Sequence, residues 1–279
     1  MKTSLKLLLA IILVSGFSLS GIAQKGVEDG SRFGHGKDSI RCLKNLSLYA
    51  EFYKQNNYED AQEPWTIVYN ECPKASKNIY LHGEKMIKDA IENVEDKAKK
   101  KQLLDSLMQL YDKRIKYYNQ KGFVLGKKGT NFVKYAEKNV ENFKKGHEIL
   151  KNSIDIKGNN SSVAVLVMYM QTSRTLFSSG AMEGKEVVDN YAQVLDILES
   201  NLEEDPNSSI HQKGLDAINK IFENSNAATC ENLINLFKPR FEETPEDKAL
   251  LQRITNLLDD QNCTQSKLYA DAAVNLNQL

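Results

Sequence analysis

CLKNLSLYAEFYKQNNYEDAQEPWTIVYNECP, from Cys42 to Pro73, is the stretch whose reading decides the fold. It contains no sustained alternation of apolar and polar residues, and it closes on a proline, which cannot continue a helix. The same helical patterning runs through the rest of the chain. Leu104, Leu107, Met108, Tyr111 and Ile115 share one helical face, as do Val187, Tyr191, Val194, Leu195 and Leu198. Leu250, Ile254, Leu257 and Leu258 repeat the pattern near the end. Only five prolines occur, and Pro64, Pro73, Pro206 and Pro245 stand where helices are expected to start or stop. The expected class is all-α.

Position by position, Cys42–Pro73 resembles the tetratricopeptide (TPR) repeat, a helical hairpin of about 34 residues. Pro73 takes the proline that ends the second helix, and Leu48 and Phe52 the apolar positions of the first. Tyr58 stands at the turn aromatic, Ala61 at the small residue where the helices cross, and Trp65 at the large apolar position of the second helix. A small residue lets two helices approach closely, and aromatics fill the groove between hairpins. The match departs where Tyr49 replaces the usual glycine of the first helix. A second unit from Ser76 places Gly83 on that glycine, with an insertion around Asn93 to Lys100. A third runs from Lys127 with Phe143, Gly146 and Leu150, and a fourth from Ser161 to Pro206 with extra residues around Gly180 to Lys185. Two more units are suggested by Pro245 and the segments at Cys230 and Cys263. The resemblance implies a TPR-like superhelix of about five to six helical hairpins over residues 38–279. The bland alternative is an irregular helical bundle. The final helix, Ser266 to Leu279, has no stop signal, so the chain is expected to be the front part of a longer protein.

The first 23 residues differ in kind. Lys2 and Lys6 precede an eight-residue apolar run, Leu7 to Val14, and a small, polar stretch ends at Gly21-Ile22-Ala23. This is the layout of a signal peptide cleaved after Ala23, and the run is too short for the roughly 20 residues that span a bilayer. No cysteine follows to carry a lipid. Residues 24–37 hold four glycines and are expected to form a flexible lead-in. The chain's 37 basic and 37 acidic residues cancel, and losing two lysines leaves the mature chain at minus two, which argues against nucleic acid as a partner. The expected location is the periplasm or cell envelope of a Gram-negative bacterium, with no transmembrane segment in the mature chain.

Cys42, Cys72, Cys230 and Cys263 are widely spaced, which suits neither a zinc knuckle nor a redox pair. An even number in an exported chain is compatible with disulfides. In the TPR frame Cys42 starts a first helix and Cys72 ends its antiparallel second helix, which implies a bridge between them. Cys230 and Cys263 each open the second helix of successive repeats, which implies the other bridge.

Catalytic and metal-binding patterns are not recognisable. Gly122 to Lys128 falls one residue short of a phosphate loop, and His35, His82, His147 and His211 lack partners at metal-ligand spacing. The expectation is a non-catalytic protein without cofactor or metal. In TPR arrays the first helices line a groove. That mapping gives Tyr53, Lys54, Tyr80, Glu84, Lys88, Lys128, Asn131, Tyr135, Lys138, Tyr169 and Thr172 as candidate partner-binding residues. Tyrosine suits recognition through ring area and hydroxyl, and lysines suit acidic partners. The same tyrosines would equally serve as packing between repeats. Residues 113–128 carry six cations and no acid, a candidate for peripheral membrane contact or a solvated helix end. Asp38-Ser39-Ile40 and Asp105-Ser106-Leu107 resemble envelope O-glycosylation sites. The expected function is a protein–protein interaction scaffold in an envelope assembly. The alternative is a glycan-binding protein similar to the starch-utilisation (SusD-like) lipoproteins, which are also built on TPR-like helices.

Overall fold

A computed structural model describes residues 30–279, so the signal-peptide reading of residues 1–23 and the first part of the lead-in lie outside the described residues. The described chain is helical, with no strand among the described residues. It divides into two compact units, Met1–Val124 and Leu125–Leu279, whose boundary falls inside one helix. No helix among the described residues is long and apolar enough to cross a membrane.

The first unit contains α1 (Lys37–Lys54), α2 (Tyr58–Glu71), α3 (Asn78–Asn93) and α4 (Lys97–Tyr118), and it ends in the first turn of α5 (Lys121–Tyr135). Asn57 caps α2 by accepting from the Asp60 N–H, and Asp96 caps α4 by accepting from the Lys99 N–H at 2.7 Å. The insertion therefore becomes a loop and a longer α4. Trp65 is buried, and its Nε1–H donates to the Ile79 carbonyl at 2.7 Å, joining α2 to α3. Gly83 makes this approach possible, because a Cβ there would stand 2.7 Å from Leu110 Cδ1 and 2.8 Å from Trp65 Cε2, too close for either.

Three positions differ from expectation. Pro64 lies inside α2, where its missing N–H leaves the Asp60 carbonyl without a helical donor, and Asp60 itself is exposed. Leu48 is 41% exposed while Tyr49, expected at the glycine position, is buried. The Cys42–Leu46–Tyr49–Tyr53 face of α1 turns inward, with Cys42 bonded to Cys72 and Tyr49 edge-on to His82. Within the expected lead-in, Arg32 Nε donates to the Ala75 carbonyl at 2.7 Å and the Gly34 N–H to Ser31 Oγ at 3.1 Å. Gly34 and Gly36 adopt φ of 77° and 56°, a region that disfavours other residues.

The second unit holds the rest of α5, then α6 (Val140–Lys157), α7 (Val163–Ser178), α8 (Gly184–Glu204), α9 (Ser209–Glu223), α10 (Cys230–Glu243), α11 (Lys248–Asp260) and α12 (Lys267–Leu276). α7 packs against both α8 and α9, and α10 against α8 and α12. First helices meeting first helices and second meeting second is the pattern of stacked hairpins, and the all-α class is compatible with a helical-repeat superhelix. The core is largely aliphatic, running from Leu150 through Val187, Leu195 and Ile218 to Ile254 and Leu258. Gly146 and Gly214 are close-approach points, the first against Val133 and the second against Val163.

Both disulfides form. Cys42–Cys72 has a Cα–Cα distance of 6.2 Å and closes the open end of one hairpin. Cys230–Cys263, at 5.5 Å, joins the last two hairpins. Cys263 does not open a helix as expected. Asn262 takes φ 57° and the Cys263 N–H bonds back to the Leu258 carbonyl, which ends α11 and leaves Cys263 in the turn before Ser266 caps α12.

Candidate functional site

The sequence-predicted groove residues separate into exposed and internal groups. In the first unit Tyr53 is half-buried. Its ring stacks on His82 at 3.8 Å and on Tyr58 at 5.6 Å, and Lys85 Nζ lies within 6 Å of both tyrosine centroids, at 5.5 and 5.7 Å. Partial burial, then the nearby Lys85 charge, holds the His82 pKa below its ordinary value. Lys54 is exposed and pairs with Glu51 at 3.7 Å, and Lys88 is half-buried. Tyr80 is a correction. It is fully buried, and its hydroxyl donates to the Pro73 carbonyl at 3.0 Å, so it packs the unit's interior.

In the second unit most of the candidates are structural. Asn131 is buried and donates to the Lys127 carbonyl at 2.9 Å. Tyr135 is buried beneath Lys134, whose ammonium donates to the Tyr135 hydroxyl at 3.0 Å. Lys138 donates to the Val133 and Lys134 carbonyls, closing the end of α5. Lys128 is half-buried. Tyr169 and Thr172 are fully inside: Tyr169 donates to Asn190 Oδ1 at 2.6 Å and stacks on His147 at 4.4 Å. The Thr172 hydroxyl donates to the Tyr169 carbonyl at 2.8 Å, so the 2.9 Å contact with His147 Nδ1 assigns the proton to that nitrogen. Burial lowers the His147 pKa to about 4. The reason for these corrections is common to all: the inner face of a helix and its groove face carry the same residue types at the same spacing.

A concavity of the second unit lies between α9 and α11 and has a volume of about 630 Å³. Gln212, Asp216, Asn219 and Glu223 form one stripe on α9, while Gln252, Arg253, Asn256 and Asp260 line the facing side of α11. Leu215 and Leu257 contribute apolar lining. The signal was present as polar residues at i, i+4, i+7 and i+11 opposite an apolar stripe, but it looks identical to any solvated helix face.

The cleft rests on a braced base. Arg253, 9% exposed at its side chain, pairs with Glu199 of α8. Arg240 of α10 reaches Asp196 at 2.5 Å and Glu199 at 3.8 Å. Tyr191, stacked on Phe222 at 4.0 Å, donates to Asn219 Oδ1 at 2.9 Å and orients that amide. With Arg253 committed to Glu199, the lining carboxylates Asp216, Glu223, Asp259 and Asp260 give the cleft a negative character. Burial first, and the Asp260 charge second, raise the Glu223 carboxyl above its ordinary range. A cation arriving in the cleft would relieve that repulsion.

No protein-family model, curated protein or solved structure matches the chain.

Proposed function

We propose that this chain is an exported, non-catalytic helical-repeat protein of the TPR type, acting as a scaffold that holds a protein partner in a Gram-negative envelope. The observation that carries this reading is the cleft between α9 and α11, a hydrogen-bonding channel with an apolar component between the first helices of successive hairpins. Its four carboxylates favour a partner segment bearing lysine or arginine, not the acidic partner that the lysines of the earlier helices implied. The two disulfides support export, because such bonds persist in oxidising compartments.

The test is crosslinking in cells expressing the tagged chain, with a companion carrying Asp216→Asn, Glu223→Gln and Asp260→Asn. The expected result is a discrete envelope protein captured by the wild type and lost from the triple variant at unchanged helicity. Capture that is indifferent to the three substitutions removes the cleft from the account. The glycan-binding alternative is favoured by the half-buried Tyr53 and Tyr58 rings beside Lys85, and disfavoured by Trp65, which is committed to the core. A glycan response that disappears in Tyr53→Ala would promote it.

A further inference from the structure

Lys77 and Arg114 reach one acceptor in the first unit. Lys77 Nζ donates to Gln120 Oε1 at 2.7 Å, and Arg114 Nη2 approaches the same oxygen at 3.5 Å. A neutral amide oxygen therefore stands between two cations, a position where an anion has much more to gain. Arg114 is 2% exposed at its side chain. Its Nε makes no hydrogen bond, and its Nη1, likewise without one, lies 4.0 Å from Glu84 Oε2, the outer limit of an ion pair. Buried guanidinium donors are costly to leave unused.

The backbone presents Gln120 for exchange. Asn119 and Gln120 both adopt left-handed φ, 55° and 60°, in the turn between α4 and α5, an unusual conformation for two successive non-glycine residues. Gln120 is exposed, so the acceptor position is open to solvent while Arg114 forms its floor. α5 starts at Lys121 with no acid in its first turn, so the positive pole of the helix faces the same turn. Residues 113–123 carry four cations and no acid, with Lys116 and Lys121 exposed at the rim and Phe123 48% exposed beside them.

We infer that the α4–α5 turn is an oxyanion site in which a phosphate group displaces the Gln120 amide and sits between Lys77 and Arg114. The guanidinium supplies directed donors from below and Lys77 supplies a mobile charge from the side. Inorganic phosphate and the head group of an anionic phospholipid share this chemistry, and the rim of Lys116, Lys121 and Phe123 suits either approach. The site is independent of the cleft between α9 and α11.

The experiment uses the full chain with two probes. The first is thermal unfolding in inorganic phosphate against chloride at matched ionic strength. The second is co-sedimentation with phosphatidylglycerol vesicles against phosphatidylcholine vesicles. Lys77→Ala removes one cation, and Gln120→Glu installs a carboxylate where the ligand would sit; both positions are peripheral to the core. The wild type is expected to gain thermal stability in phosphate, to sediment with phosphatidylglycerol, or both. Lys77→Ala should bind at least tenfold more weakly. Gln120→Glu should melt higher than wild type in chloride and respond to neither probe. A thermal shift alone assigns free phosphate, and sedimentation sensitive to both substitutions assigns the lipid head group. No response of the wild type to either probe overturns the site. So does a response that both variants retain, which would mark diffuse attraction to the surface lysines.

Discussion

Each unit stacks a histidine on a tyrosine, and the two pairs serve different ends. His82 lies on Tyr53 at 3.8 Å at the half-buried edge of the first unit, beside an exposed lysine. His147 lies on Tyr169 at 4.4 Å inside the second, hydrogen-bonded to Thr172 and linked through Tyr169 to Asn190. The first pair presents ring surface to solvent, and the second locks α6, α7 and α8 together. The disulfides differ in the same manner. Cys42–Cys72 staples two helices of one hairpin, whereas Cys230–Cys263 ties one hairpin to the next. The histidine–tyrosine pairs thus both bridge helices but differ in burial, whereas the disulfides differ in reach, one between neighbouring helices α1 and α2 and the other from the start of α10 to the turn after α11.

Removing the disulfides should produce the largest effects and separate the two roles. Cys42→Ser with Cys72→Ser opens a 30-residue loop, and Cys230→Ser with Cys263→Ser opens one of 33. Each double variant is expected to cost about 3–4 kcal/mol. Hydrogen exchange should show the first loss confined to α1 and α2, and the second spread over α10, α11 and α12. Equal spreading in both would erase the distinction between local and cross-element closure.

Acid should act next, and unequally. The folded pKa of His147, about 4, lies below its ordinary value of 6.5, so its neutral form contributes stability that is complete above pH 6.5 and lost as pH falls through about 4. The amount is roughly 2–4 kcal/mol from the shift. His147→Asn should flatten the pH dependence between 6.5 and 4, read by denaturant unfolding at each pH, and should leave the first unit's transition in place. A profile unchanged by the substitution would assign the acid response to other groups. His82 shifts in the same direction, but its exposure screens the effect.

A smaller effect tests how tightly the first unit is built. Gly83→Ala forces a methyl group toward Leu110 and the Trp65 ring and is expected to cost about 1–3 kcal/mol, seen as a lower melting temperature with altered tryptophan fluorescence. Full retention of stability would mean that the α2–α3 contact can spread without loss.

Much of the fold was legible because helix periodicity is local. The amphipathic stripes of α4, α8 and α11 can be counted along the chain, and the hairpin boundaries at Pro73, Pro206 and Pro245 follow from missing N–H donors. Trp65 and Gly83 fall on the large and the glycine positions of successive units, and the structure brings the two together. Pro64, Tyr49 and Cys263 departed because packing and turn geometry outweighed local preference. The candidate site was far less legible. Tyr80 and Tyr169 carry the residue type of a recognition surface, yet both are internal, while Asp216, Glu223 and Asp260 read as ordinary solvated carboxylates.

By itself the sequence determined the all-helical class, because helical periodicity depends on short-range spacing, and it supplied four cysteines able to close two loops of similar length. Tertiary structure alone decided which tyrosines face inward, that α9 and α11 leave a cleft, and that Lys77, Arg114 and Gln120 converge. Those outcomes depend on which helix faces meet, and a face is buried or exposed only through residues distant in the chain.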